Sequence, residues 1–148
     1  MTTNSEQTKA HAWGLYPWHG QSEAERQLVH PDDLERFSLL WPYCKVLQRL
    51  GEAAEQGFIV LRYGESTFRV RPELFQPIAP LAFGFGGEVR LRRDRERTGV
   101  VVAIHWHYKQ ARPFFLIRCG QRRAAGRYWA EELLPRLESP PQLPSSRG

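Results

Sequence analysis

The chain has 148 residues, a net charge of +5, 41% apolar residues and five Trp, enough to fold as one domain or two very small ones and too apolar for a disordered chain. No apolar run approaches the roughly 20 residues that span a bilayer, and the start, MTTNSEQTKAHAWG, lacks a basic-then-apolar leader, so the expectation is a soluble, cytoplasmic protein with no membrane partner. The charge is uneven: residues 1–80 hold eight Lys/Arg and ten Asp/Glu, whereas residues 81–148 hold thirteen Lys/Arg and six Asp/Glu. That asymmetry points to an anionic partner for the second half, or to a solvated basic face.

In chain order, residues 1–10 are expected to be a disordered start and residues 11–80 a β-rich subdomain. Trp13, Tyr16 and Trp18 are too large and too close together to be left in water, so they are expected to lie across a core in a short extended segment. His30-Pro-Asp-Asp-Leu-Glu-Arg-Phe37 opens a helix over about 32–41, with Asp32 and Glu35 spaced as a capping box and Leu34, Phe37, Leu40 and Trp41 on one face; Pro42 ends it. Strands follow at Cys44–Leu50, Phe58–Tyr63 and Thr67–Arg71, the last alternating Phe68 and Val70 with Thr67, Arg69 and Arg71. Pro72–Phe75 reads as a helical turn, and the Pro/Gly-rich 76–87 as a connector.

The second unit, residues 81–137, reads as strand Glu88–Arg92, charged turn Arg93–Thr98, long strand Gly99–Tyr108, strands Pro113–Cys119 and Arg127–Trp129, and a short helical end from Ala130 to Leu137. Residues 138–148, ESPPQLPSSRG, are expected to be a disordered tail. The halves echo each other: FIVLRYG (58–64) parallels FFLIRCG (114–120), and FRVRPELFQPI (68–78) parallels GRYWAEELLPRL (126–137), at an offset of 56 to 59 residues. The first half shows no counterpart of the long Gly99–Tyr108 strand. The fold class expected is mainly β with short helices, one or two small curled barrels and a degenerate internal duplication.

The residues from Phe83 to Leu134 carry GxxVxL, TGxVxxIxWH, a strand ending in Gly, and RYxxEEL. This pattern resembles the SH3-like small barrels, the group that includes tudor and KOW-type modules. The tudor aromatic cage is absent and the KOW signature incomplete, so the resemblance implies the architecture and neither of those functions. Across the chain, HPDDLERF, LRYG, FRVxPELF, IHWHYK, RY and EEL resemble an uncharacterised bacterial family of unknown function, which implies no activity.

No catalytic motif is present: there is no G-x-S-x-G, P-loop or HExxH. Asp32-Asp33 and Glu131-Glu132 stand where helix N-termini favour negative charge. His105 and His107 share one face of a strand, a pair suited to a metal, but the local sequence supplies no third ligand; they are weak candidates, and no metal or cofactor is assigned. Cys44 and Cys119 form no CxxC pair and are expected to be small core residues; Cys119 reaches His105 or His107 only if their strands align. The stronger constellation is basic. Arg90, Arg92, Arg93, Arg95 and Arg97 surround one hairpin and Arg118, Arg122, Arg123 and Arg127 another, with His107, Tyr108 or Trp129 placed to stack on bases. The expected function is a non-enzymatic binding module for nucleic acid or a ribonucleoprotein. The alternatives are an interaction or immunity-type protein with an exposed patch from Trp13, Trp18 or Trp41, and, third, a metal-dependent enzyme using His105 and His107. Oligomeric state is not legible.

Overall fold

The computed structural model describes residues 12–120 and 126–136. The expected termini (1–10 and 138–148), Arg122 and Arg123 lie outside the described residues. The chain is mainly β; the described residues form ten strands in two five-stranded antiparallel sheets and only short helices. The first sheet is built from β1 (Trp13–Leu15), β2 (Val46–Glu52), β3 (Ile59–Tyr63), β4 (Ser66–Val70) and β5 (Gln76–Pro77), and the second from β6 (Glu88–Leu91), β7 (Asp94–His107), β8 (Arg112–Cys119), β9 (Gly126–Tyr128) and β10 (Leu133–Pro135).

The two sheets follow one plan. In each, four strands meander, a 3₁₀ turn follows (Pro72–Leu74 or Ala130–Glu132), and the fifth strand returns to the first, giving the orders β5-β1-β2-β3-β4 and β10-β6-β7-β8-β9. Even the bulges coincide. Leu50 is the extra residue between pairs Arg49↔Leu61 and Gly51↔Val60, and Val102 is the extra residue between Val101↔Ile117 and Ala103↔Leu116. Leu61 and Ile117 are the matching residues of the two echoed strand sequences. β2, in the position of β7, is therefore the counterpart that the sequence seemed to lack; it is shorter because β7 extends at both ends.

The alternating pattern sets which face is buried. Ile59, Leu61, Phe68 and Val70 point one way into a core shared with Tyr16, Trp18, Val29, Phe37 and Leu47. Gly64, at φ 63°, supplies the positive φ that the tight β3–β4 turn needs at its first central position. A second core gathers Val89, Leu91, Val101, Ile104, Phe115, Ile117 and Leu133 from the second sheet with Leu15 and Val46 from the first. β2 thus feeds both cores, through Val46 and Leu47. The halves also join through the main chain, where Trp106 N–H donates to Cys44 O at 2.7 Å and Lys45 bridges His105.

Residues 16–45 are inserted between β1 and β2 and carry α1 (Glu23–Arg26), a 3₁₀ turn (Pro31–Asp33) and α2 (Leu34–Leu40). α2 buries Phe37 against Tyr16, Trp18 and Phe68, with ring centroids 5.0–5.8 Å apart. It stops at Trp41, whose left-handed φ of 57° precedes Pro42. The buried rings keep polar partners: Tyr16 OH donates to Arg71 O at 2.6 Å, and Trp18 Nε1 to Glu25 O at 2.6 Å.

Three local expectations are corrected. The Asp32/Glu35 capping box does not form; Asp33 is the residue before α2, and its carboxylate turns instead to Arg69 and Arg36. The charged run Arg93–Thr98 is not a free turn. The turn is Arg92-Arg93, and Asp94 onward belongs to β7, bulged so that Leu91 faces Asp94 while Arg90 faces Thr98. The segment after Trp129 is one 3₁₀ turn followed by β10, because its apolar residues Leu133 and Leu134 pair with β6 rather than forming a helix face.

Candidate functional site

Strand parity builds the outer face of the second sheet. Phe115 and Ile117 point into the core, so Phe114, Leu116 and Arg118 point out. Cross-strand pairing sets His105 beside Phe114, His107 beside Arg112 and Arg127 beside Leu116. Phe114 was missed in the sequence, although the same alternation over 113–119 marks it. The Phe114 ring is met by His105 (5.6 Å between centroids), His107 (6.3 Å) and Trp129 (6.1 Å), and the Arg127 guanidinium lies 5.6 Å from its centre. Trp129 carries Arg112 over its ring at 3.8 Å, and Arg112 is held in turn by Glu131 at 2.5 Å.

Two hollows meet at Arg127. One, of about 480 Å³, is lined by Leu91, Arg93, Asp94, Arg97, Arg127, Tyr128 and Glu132. The other, of about 200 Å³, is lined by His107, Phe114, Arg127, Tyr128 and Trp129. An arginine-rich cleft and an aromatic one therefore share Arg127 and Tyr128.

The predicted basic residues divide into tied and free groups. Arg90 Nε donates to Pro135 O at 3.1 Å and Arg92 Nε to Glu131 O at 2.7 Å, so both help hold the β10 segment. Among the described residues Arg93, Arg95, Arg97, Arg118 and Arg127 make no hydrogen bond or ion pair, and all five are exposed. His107 Nδ1 accepts from Gln110 N–H at 3.1 Å. Tyr108 is outside both hollows and stacks on Tyr43 instead, 5.2 Å between centroids and 15° between planes.

The rival constellations are not assembled. His105 and His107 have Phe114 between them, and among the described residues no group of three or more His, Cys, Asp or Glu is placed to hold a metal. Burial, then the charges of Lys45 and Arg127, lowers the His105 pKa, so this imidazole is neutral at pH 7. Cys119 pairs with Gly99 in the β7–β8 ladder, far from the Phe114 and Arg112 positions opposite the two histidines, and both cysteines are free thiols. The aromatic patch expected from Trp13, Trp18 and Trp41 is reduced to Trp41: Trp18 is 1% exposed, and Trp13 is half-buried on Phe85, whereas Trp41 is 47% exposed.

The pattern defining one protein family matches residues 5–134. The chain belongs to a family of unknown function, DUF6960. No curated protein and no solved structure matches it. Among the described residues of this DUF6960 chain no helix is long and apolar enough to cross a membrane.

The matched halves differ most in what faces their edge arginines. Arg69 on β4 and Arg127 on β9 occupy the same place in the shared plan, opposite Val60 and Leu116. Arg69 is saturated. Its Nε and Nη2 donate to Asp33 at 2.9 and 3.1 Å, its main-chain N–H to Asp33 at 2.8 Å, and its Nη1 to Glu55 at 2.8 Å. Those bonds hold the Asp33 carboxyl down at about 2, Arg69 being the main cause. Among the described residues Arg127 has no such acid.

Proposed function

We propose that this chain is a non-enzymatic binding module whose second half engages an anionic partner through Arg93, Arg97 and Arg127. The observation that carries this reading is the pairing of the arginines. Among the described residues Arg26, Arg36, Arg49 and Arg69 of the first half and Arg112 and Arg136 of the second each meet a carboxylate, whereas the three around the larger hollow meet none. Guanidinium groups left free around a concavity are suited to phosphate or carboxylate oxygens. Nucleic acid or a ribonucleoprotein fits the charge, and the adjoining Phe114 and Trp129 suit an unstacked base. A protein partner is favoured by a different observation, the edge of β9, with which no strand pairs among the described residues. The shared strand plan also supports reading each half as an SH3-like unit, an architecture that hosts binding surfaces on its edges and turns.

The test is a titration of the labelled full chain with single-stranded RNA, single-stranded DNA and polyglutamate at low and moderate salt. At least one polyanion is expected to bind, with affinity falling steeply as salt rises. The Arg93→Ala/Arg97→Ala/Arg127→Ala variant should flatten the dependence of log affinity on log salt by roughly two to three for a nucleic acid. Silence from all three polyanions at low salt, or binding that the variant leaves unchanged, would overturn the proposal.

A further inference from the structure

The first half contains a worked example of how such an edge is closed. Val29 forms an antiparallel bridge with Val70 on β4, His30 N–H donates to Arg69 O at 2.9 Å, and Arg71 N–H donates to Leu28 O at 2.7 Å. Three residues beyond His30, Asp33 takes the Arg69 guanidinium and N–H together. The His30 ring lies 5.3 Å from Phe58, which begins the strand segment echoed by Phe114. Leu28–Asp33 thus meets the edge through a single bridge at Val29 and then turns, through the 3₁₀ residues Pro31–Asp33, to set a carboxylate on it.

The second half has the edge without the segment. β9 is the last strand of its sheet, and among the described residues nothing pairs with its far side. Arg127, Tyr128 and Trp129 stand in the places of Arg69, Val70 and Arg71 with the same register on the neighbouring strand. That register turns the N–H and C=O of Arg127 to the open side. Trp129, two residues on and of the same parity, agrees: its N–H leaves β8 and donates to Glu132 at 2.8 Å. The edge is open at Arg127, whose main chain, guanidinium and neighbouring aromatic hollow form a receptor for main chain, acid and ring at once; the Trp129 N–H, the counterpart of the Arg71 N–H, is already taken by Glu132.

We infer that the free edge of β9 docks an acidic segment of a partner protein, which bridges it antiparallel and sets a carboxylate on Arg127, as Val29 and Asp33 do on β4. The residue three positions before that acid lies in the hollow formed by Phe114 and Trp129. This inference rests on the anionic-partner reading and names its partner class. Charge complementarity selects an acid-bearing segment, and the unpaired strand edge selects polypeptide over nucleic acid, because only a peptide main chain can supply the ladder.

The probe is a synthetic peptide with the sequence of residues 26–35, RQLVHPDDLE, titrated to millimolar concentration into the isotope-labelled full chain and followed by NMR. Saturable shifts are expected at Phe114 and Gly126–Trp129. Binding should weaken roughly tenfold when the peptide carries Asp33→Asn, and by a similar factor in Arg127→Ala protein, whose unchanged spectrum away from β9 establishes its folding. No saturable shift at β9, shifts indifferent to both substitutions, or single-stranded RNA moving the same amides at lower concentration would overturn it. Polyanion binding without a peptide response at β9 would sink this inference and leave the broader reading standing; silence in both would sink both.

Discussion

Replacing Asp33 with Ala lowers the unfolding free energy by about 3 kcal/mol, the low end of the cost of breaking a buried ion pair. Asp33 is 4% exposed and accepts from Arg69 three times and from Arg36 once at 2.8 Å. Its removal leaves the Arg69 N–H without its acceptor and lets the 3₁₀ turn drift from the β4 edge. The loss stays near the low end because Arg69 retains Glu55. For a chain of this size the midpoint of thermal unfolding should fall by roughly 10 °C. A pH signature accompanies it. The carboxyl titrates at about 2 in the folded chain against the usual 3.8, so its contribution is complete above about pH 4 and is lost as pH falls through about 2. That contribution is about 2 kcal/mol, and Asp33→Asn should remove this part of the acid limb. Urea unfolding at pH 7, 4 and 2.5 measures both; an Asp33→Ala loss under about 1 kcal/mol would mean that the pair does not organise this edge.

Phe37→Ala should cost about 3–5 kcal/mol, whereas Phe114→Ala should cost about 1 kcal/mol. Phe37 is fully buried between Tyr16, Trp18 and Phe68, and nothing can refill its site without moving α2 off the sheet. Phe114 lies on the outward face, half-buried among His105, His107 and Trp129. Its loss removes ring contacts at the surface and leaves the core intact. The contrast separates a ring that holds the fold from one available to a partner. Urea midpoints for the two variants decide it: equal costs would mean that Phe114 is structural and the hollow beside it is closed.

Much of the architecture could be read locally. FIVLRYG and FFLIRCG alternate with a period of two and end in Gly, and each is followed by a strand and a Glu-Leu turn, so their equivalence was visible before any coordinates. What could not be read was set at a distance. Asp32 and Glu35 have capping-box spacing, but Asp33 lies 36 residues from Arg69, and that tertiary ion pair displaced the local option. The run from Arg93 to Thr98 looked like a turn because five of its six residues are charged; it joins β7 because β6 offers a ladder on one side. At the candidate site, Arg93, Arg97 and Arg127 were three of nine arginines that composition marked alike. That Arg90 and Arg92 are tied down was hidden, because their acceptors are main-chain carbonyls of Pro135 and Glu131. The significance of Arg127 came only from its equivalence with Arg69, which needed the register of both hairpins.

The most direct test of this account is site-resolved amide hydrogen exchange on the free full-length chain, comparing Arg69 with Arg127. The Arg69 N–H is bonded to Asp33 on a closed edge, so it should exchange only through large-scale opening. The Arg127 N–H should exchange close to its intrinsic rate while the core of the second sheet stays protected. Strong protection of Arg127 in the free chain would contradict the account, because the edge offered to a partner would already be covered.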